Sequence, residues 1–437
     1  GSITKGKPVI VRTDGDFAQV GLQPTSTTNT GAFSQGSLQS ILTYDGDLFS
    51  MAVSSDGLTY GFFATHTSQT QKVVIGTRVS GANTISWGTP LIISSSQGTK
   101  TVISHNDEEN VFVCTYSKGS ANFYYATAVS YSGNTPTAGA EVEALSVGAS
   151  AGVGQNQSSC YQKDIKANVI VAQGGATNNS SAYLSASVLT CSGTTITVGT
   201  RHEFSSTTNT GWNFINIAGL GNSKIAMYFR DTSGYPTITI ASISGTSFTV
   251  GTTVIINSAG GDRAYPCYNP TFPDKFIIGG AIFNSGPLSY CGVSLNGLVP
   301  TISNLSNGNV SPNNAYIETG GTMTVYSNYS GQYCFVYSTS DGNYNSCYRF
   351  ATSTDGTTLT VGAEVKTTSF GASQYYAGAC CSDADGFVTE NHNDRSNVND
   401  YACYTFQPTF SYTITVSAPN LTASNLLGFA QNTVSDN

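Results

Sequence analysis

One phrase of short strands recurs along the chain and constrains the fold more than any other feature. A Thr-rich, β-branched strand ends in Gly, and a second short apolar strand follows, as in residues 195–199. The glycines that end the copies are Gly88, Gly139, Gly199, Gly251 and Gly362, of which the copy at Gly139 is degenerate. With further degenerate copies near 299–303 and 412–416, the sequence contains seven units of about 54 residues between about 35 and 417.

Each unit contains the same order of strands. In the fourth unit, apolar segments at 214–217, 224–229, 237–240 and 248–256 are separated by Gly, Asn, Asp and Ser. Short strands with frequent turn residues indicate antiparallel meanders, and no segment sustains the 3.6-residue period of a helix. Radial repetition protects sheet edges, whereas a linear solenoid, the alternative, needs capping repeats. The sequence therefore predicts an all-β fold, a seven-bladed β-propeller of four-stranded antiparallel blades.

The N-terminal segment has two interpretations. Residues 7–11 resemble the outer strand at 89–93, and the seventh unit has no outer strand of its own after Val416. Residues 7–11 then either close the ring on the last blade or form a separate attachment strand. The predicted domains are an N-terminal strand and linker at 1–34, the propeller at 35–417 and a C-terminal extension at 418–437.

Composition excludes several classes of protein. Only 10% of residues are charged, against about 25% in an average protein. The 17 basic and 25 acidic residues give a net charge of −8 without a basic stripe, so we expect no nucleic-acid partner. No apolar run reaches the roughly 18 residues of a membrane-spanning helix, and we expect neither membrane insertion nor a cofactor.

The cysteines predict few disulfides despite their even number of ten. Most fall on the first strand of a unit (Cys160, Cys267, Cys380, Cys381) or on the third (Cys191, Cys291, Cys403). First and third strands of a meander lie about 9.6 Å apart, and a disulfide needs Cα atoms within about 7 Å. Cys334 and Cys347 fall on neighbouring strands and form the one possible disulfide. The others are expected to be buried thiols, which favours assembly in a reducing compartment.

Candidate catalytic and metal residues are sparse. His66, His105, His202 and His392 lack metal-ligand spacing, and we expect them on loops or edges facing solvent. Asp383 and Asp385 resemble the start of a calcium loop, but the remaining EF-hand ligands are absent. They stay candidates for a looser Ca²⁺ site, or they are turn residues. We assign no catalytic residue.

Aromatic residues suggest a different chemistry. The chain has 25 Tyr and 21 Phe, including the pairs Tyr124-Tyr125 and Tyr375-Tyr376. Aromatic rings on a surface rich in Ser, Thr and Asn are typical of sugar-binding faces. The alternative is that these rings pack between the blades as core.

The repeat resembles that of β-propeller structural and tail-fibre proteins of tailed bacteriophages, especially marine ones. The resemblance lies in the segments 192–200 and 244–252, in the opening at 5–15, and in the segment 420–430. It implies a virion component assembled in the bacterial cytoplasm, with other virion proteins and host-surface glycans as partners. It also implies a homo-oligomer or multicopy assembly, and a chain that continues beyond Asn437.

These observations leave three functional hypotheses. The first is a non-enzymatic surface appendage or tail-fibre propeller that attaches to host-surface glycans. The second is a capsid decoration or filament scaffold without receptor binding, which large apolar patches on the outer face would favour. The third is a secreted polysaccharide hydrolase or lyase, which predicts paired carboxylates or an arginine cluster at the channel mouth.

Overall fold

The protein is known from a computed structural model with two compact units, one of residues 34–407 and one combining 1–33 with 408–437. The structure describes residues 8–11, 17–19, 26–37, 39–43, 48–65, 70–79, 83–96, 101–118, 123–146, 157–175, 182–208, 215–231, 233–261, 263–283, 287–311, 315–316, 324–328, 331–339, 346–366, 377–381, 388–394, 400–413 and 426–429. Within these ranges there is no α-helix, and one 3₁₀ turn spans Lys163–Ile165. No helix in the described ranges has the length and hydropathy to cross a bilayer.

The strands follow in chain order, and a blade here means a sheet built from one continuous segment. Before the blades lie β1 (Pro8–Val11), β2 (Phe17–Gln19), β3 (Ser26–Gln35) and β4 (Gln39–Thr43). Blade 1 comprises β5 (Leu48–Val53), β6 (Thr59–Thr65), β7 (Gln71–Arg78), β8 (Ile85–Trp87) and β9 (Leu91–Ser94). Blade 2 comprises β10 (Thr101–Asn106), β11 (Val111–Ser117), β12 (Phe123–Ser132), β13 (Thr135–Ala138) and β14 (Val142–Ser146). Blade 3 comprises β15 (Gln157–Gln162), β16 (Ala167–Gly175), β17 (Ala182–Ser192), β18 (Thr195–Val198) and β19 (His202–Thr208).

The later strands follow the same order. Blade 4 comprises β20 (Asn216–Leu220), β21 (Lys224–Arg230), β22 (Pro236–Ser244), β23 (Ser247–Val250) and β24 (Val254–Ile255). Blade 5 comprises β25 (Ala264–Tyr268), β26 (Lys275–Gly280), β27 (Ser289–Asn296) and β28 (Val299–Ser303). Blade 6 comprises β29 (Ala315–Tyr316), β30 (Thr324–Ser327), β31 (Gln332–Thr339), β32 (Ser346–Thr352), β33 (Thr360–Val361) and β34 (Val365–Lys366). The remaining strands are β35 (Ala377–Cys381), β36 (Val388–Asp394), β37 (Asp400–Thr413) and β38 (Leu426–Phe429).

Each blade is an antiparallel meander whose outer position is usually split. In blade 2 the order is β10-β11-β12-β13, and β14 also pairs with β12. The same split occurs in blades 1, 3, 4 and 6. The first strands of successive blades lie side by side, which gives the propeller arrangement.

The core lies between the blades. Phe63 and Val73 of blade 1 pack against Phe112 and Tyr116 of blade 2. Second strands such as β6 and β11 are buried along their whole length, because neighbouring blades cover both faces. This explains why these strands read as continuous apolar runs rather than alternating ones.

Four of the five repeat glycines sit at the junction between neighbouring blades, whereas among the described residues Gly362 contacts Phe350 of its own blade. An added Cβ would overlap the carbonyl oxygen of Asn134 at Gly88 and that of Thr194 at Gly139. Both contacted residues lie in the tight turn between the last strands of the next blade, where Gly133 and Gly193 adopt positive φ. The repeat therefore keeps glycine so that one blade can dock the turn of the next by its backbone.

The prediction of seven blades is wrong. Six blades are continuous repeats, and the remaining sheet is composite, with the order β3-β37-β36-β35 and β4 also paired with β37. In this composite sheet Gln39–Thr43 supplies an outer strand from the other end of the sequence, opposite residues 400–403. The last stretch of chain contributes three strands only, so it is not a seventh repeat.

Ring closure by residues 7–11 is not what the structure shows. Strand β1 pairs instead with β2 and with β38, in a three-stranded sheet outside the blades. The apolar pattern of Pro8–Val11 suits any edge position, and strand pattern alone does not choose the partner. Strand β4 takes the position that the sequence suggested for β1.

Candidate functional site

The candidate calcium residues Asp383 and Asp385 lie outside the described residues, so that prediction stays open. In the part of the chain that the structure describes, no three His, Cys, Asp or Glu side chains are arranged to hold a metal ion.

The proposed Cys334–Cys347 disulfide does not fit the strand register. The two residues lie on neighbouring strands, but Cys334 is opposite Phe350 and Cys347 is opposite Tyr337. The offset of three residues corresponds to about 10 Å along the strand, beyond the Cα separation that a disulfide allows. None of the nine cysteines described forms a disulfide.

Of the two histidines whose side chains are described, His105 differs from the expectation of solvent-facing residues. His105 is 5% exposed, and its Nδ1 lies 2.8 Å from Asp107 Oδ1. Its Nε2 lies 3.4 Å from the hydroxyl of Tyr131, between blades 1 and 2. His202 is half-buried against Phe204 and Phe248, while the side chains of His66 and His392 lie outside the described set.

The best candidate site is formed around a glutamate that lies two residues after the repeat glycine. The sequence Gly-Ala-Glu-Val occurs at 139–142 in blade 2 and at 362–365 in blade 6. In both blades this segment joins the two halves of the split outer strand. The break turns Glu141 and Glu364 towards a tyrosine on the second strand of the same blade.

The first crevice lies between blades 1 and 2 and consists of Tyr116, Lys118, Phe123, Tyr125, Thr127 and Glu141. Tyr116 donates its hydroxyl proton to Glu141 Oε2 at 2.6 Å, and its oxygen lies 2.9 Å from Thr127 Oγ1. Lys118 donates to the other carboxylate oxygen of Glu141. The Lys118 and Glu141 side chains are 26% and 30% exposed, so the pair is held in place and still reached by solvent.

Aromatic rings flank this ion pair. The ammonium of Lys118 lies 4.4 Å from the centre of the Tyr125 ring, a cation–π contact. Tyr125 stacks on Tyr116 with ring centres 6.2 Å apart, and Phe123 lies beside it at 6.5 Å. Phe123 and Tyr125 are half-buried. The first crevice thus places a donor, an acceptor and two partly open aromatic rings together.

Burial, together with the hydrogen bond to Glu141, raises the pKa of Tyr116 above its usual value. The phenol therefore keeps its proton at neutral pH and serves as a hydrogen-bond donor. Its raised pKa does not suit it to act as a nucleophile.

The second crevice lies between blades 5 and 6 and consists of Ser311, Tyr337, Arg349, Glu364 and Lys366. Tyr337 donates its hydroxyl to Glu364 Oε2, and Ser311 Oγ lies 3.5 Å from the same oxygen. Arg349 Nε donates to the Tyr337 oxygen at 3.2 Å. Burial and the Glu364 hydrogen bond raise the pKa of Tyr337 as well.

Sequence reasoning found this region only in part. It singled out Tyr124 and Tyr125, of which Tyr124 is fully buried core and Tyr125 is half-buried in the first crevice. The second pair it named, Tyr375 and Tyr376, lies outside the described residues. It missed both glutamates, although the repeated Gly-Ala-Glu-Val segment was a usable signal. The five arginines that the structure describes lie in or beside five different blades.

No protein-family model matches the sequence, and a search of curated proteins finds no match. Among solved structures, SapL1 lectin in complex with alpha methyl fucoside is 11% identical, with a TM-score of 0.43 over 87% of this chain and 98% of that chain. Aleuria aurantia lectin in complex with alpha-methyl-L-fucoside is 15% identical, with a TM-score of 0.42 over 75% and 96%. A neuraminidase-like protein of A/little yellow-shouldered bat/Guatemala is 9% identical, with a TM-score of 0.44 over 71% and 94%. At these identities the likeness concerns the fold alone.

Proposed function

We propose that this chain is a non-enzymatic saccharide-binding propeller and that the first crevice binds a neutral saccharide. The observation that carries the proposal is the exposed Lys118–Glu141 pair beside Phe123 and Tyr125. Ligand sites are usually apolar surfaces with a few well-placed polar groups. A sugar matches that combination, because its C–H face packs on aromatic rings and its hydroxyls need both donors and acceptors.

The geometry suits adjacent hydroxyls. Each oxygen of Glu141 accepts one protein hydrogen bond and keeps further acceptor capacity, while the Lys118 ammonium has three donors. One sugar hydroxyl would donate to the carboxylate as its neighbour accepts from the ammonium. Tyr116 fixes the carboxylate beforehand, which reduces the ordering that binding must impose.

Two observations support a binding role over hydrolysis. Glu141 and Glu364 lie on different blades, 2 and 6. The tyrosine beside each glutamate has a raised pKa. Hydrolysis of a glycoside usually needs two carboxylates within about 5–10 Å.

The biological setting of the proposal comes from the sequence resemblance. In this proposal the chain is part of a virion appendage that contains several copies of it and other virion proteins. The appendage attaches to a glycan on the bacterial surface. The scaffold alternative needs a broad apolar surface. The exposed large apolar side chains of the described residues are Leu58, Val79, Ile92, Ile255 and Val299, which fall on blades 1, 4 and 5.

The test is calorimetric titration of the purified chain with neutral bacterial oligosaccharides, with reducing ends assayed in the same tubes. Glu141→Gln removes a charged acceptor and should weaken binding about tenfold, since hydrogen bonds to charged groups contribute about 1.5–3 kcal/mol. Glu108→Gln is the matched control, because Glu108 also pairs with a lysine, Lys166, and lies in the turn between β10 and β11, at the end of the blade 2 strands away from the first crevice. Equal effects of the two substitutions, or no binding by the wild-type chain, would contradict the proposal. New reducing ends would contradict its non-enzymatic part.

A further inference from the structure

We propose that the second crevice is a separate binding site for a saccharide that carries a carboxylate, with Arg349 as the residue that recognises it. The proposal extends the proposed function to a second position on the ring. It rests on the contacts of Arg349 and on a comparison between the two crevices.

The terminal nitrogens of the Arg349 guanidinium make only long contacts to described residues. One lies 3.4 Å from the carbonyl oxygen of Gly362, and the other lies 3.7 Å from Glu364 Oε2. Typical N–H···O hydrogen bonds measure about 2.7–3.2 Å. The short contact is made by Nε, to the Tyr337 oxygen at 3.2 Å. The two terminal nitrogens therefore retain donor capacity in the parallel arrangement that a carboxylate accepts.

Glu364 does not use up this donor capacity, because other groups already hold its carboxylate. It accepts from Tyr337 and lies within reach of Ser311, and its side chain is 13% exposed. Arg349 is 20% exposed, which leaves it reachable at the crevice surface. Lys366 lies 3.9 Å from Glu364 and is 48% exposed. Among the described residues, Arg349 and Lys366 thus place two cationic side chains beside the carboxylate of Glu364.

The first crevice provides the internal comparison. Arg349 lies opposite Phe335, and Thr127 lies opposite Cys114. Phe335 and Cys114 each precede the crevice tyrosine by two residues, so Arg349 and Thr127 occupy equivalent positions. A neutral threonine thus stands in the first crevice where a guanidinium stands in the second. The two crevices share one architecture but place their cations differently, since Lys118 of the first crevice is bound to Glu141. We infer that they differ in the charge of the saccharide they bind.

The experiment titrates the full chain with uronic acid-terminated disaccharides and with their neutral hexose counterparts. Arg349→Thr makes the second crevice like the first and should weaken binding of the acidic disaccharide at least tenfold, with neutral binding unchanged. Arg349→Lys keeps the charge but loses the bidentate geometry, and we expect an intermediate loss. The lysine variant also serves if the threonine variant fails to fold, which thermal melting would reveal.

The outcomes separate this inference from the proposed function. Loss of acidic binding in Arg349→Thr but not in Glu141→Gln supports a separate site. Loss in Glu141→Gln alone would overturn the inference and leave the proposed function standing. Neutral binding without acidic binding would overturn the inference as well. Acidic binding that depends on Arg349, without neutral binding, would overturn the role of the first crevice but support that of the second.

Discussion

Gly88→Ala should loosen the junction between blades 1 and 2. The added Cβ would overlap the carbonyl oxygen of Asn134, which belongs to the tight turn of blade 2. Gly88 does not adopt positive φ, so alanine meets no conformational penalty there. The cost therefore comes from the contact and from what the turn loses when it moves.

The magnitude follows from the bonds of that turn. Asn134 Nδ2 donates to the Ser86 carbonyl at 2.8 Å, and Thr77 Oγ1 donates to Asn134 Oδ1 at 2.5 Å. Overpacking costs about 1–3 kcal/mol, and each net hydrogen bond contributes about 1 kcal/mol. Alanine also lowers the conformational entropy of the unfolded chain, which stabilises the folded state by about 0.4–1 kcal/mol. We expect a net loss of about 3 kcal/mol.

Urea unfolding followed by tyrosine fluorescence and circular dichroism measures this loss. Gly133→Ala in the same turn is the matched control, because Gly133 has positive φ and nothing near its missing Cβ. It should lose about 1–2 kcal/mol from backbone strain alone. A Gly88→Ala variant as stable as wild type, or more stable than Gly133→Ala, would refute the docking explanation for the repeat glycine.

Two further predictions concern titration and thiol chemistry. Hydrogen bonds from Thr357 and Thr358 lower the pKa of Asp355, so its contribution to stability is present above the unfolded-state pKa of about 3.9 and is lost as pH falls below it. Asp355→Asn should therefore melt below wild type at pH 6, by a small amount because Asp355 is only half-buried and solvent still screens its carboxylate. This difference in melting temperature should shrink between pH 4 and pH 2, and a constant difference would contradict the assignment. Burial raises the pKa of Cys291 to about 12. Iodoacetamide at pH 8 should therefore label Cys291 only after the chain unfolds. Labelling of Cys291 in the native chain, detected by mass spectrometry, would contradict its burial.

The local pattern of the sequence was sufficient to predict the strands and their meander order. The repeat glycines and the cysteines on first and third strands, such as Cys160 and Cys191, are found where the pattern put them. The number of blades could not be predicted from this local pattern. Residues 39–43 pair with residues 400–403, and a partner so distant leaves no periodic trace in either segment.

The site was less predictable than the fold. Glu141 matters because the break in the outer strand turns it towards Tyr116, and the two residues are 25 positions apart. Arg349 matters because a cross-strand register makes it equivalent to Thr127. Such relations depend on register, which the hydrophobic pattern sets only together with the geometry of the turns.

The composite sheet also determines when the ring can close during synthesis of the chain. Strand β4 is completed at residue 43, but its partner begins at residue 400. At about 5–20 residues synthesised per second, β4 waits roughly 20–70 s before its partner leaves the ribosome. During that interval blade 1 lacks its neighbour on the side of the composite sheet, and unpaired strands are open to pairing with other nascent chains. Aggregation therefore competes with completion of the ring while the chain is being synthesised. A lower growth temperature or co-expressed chaperones should change the fraction of chains that aggregate.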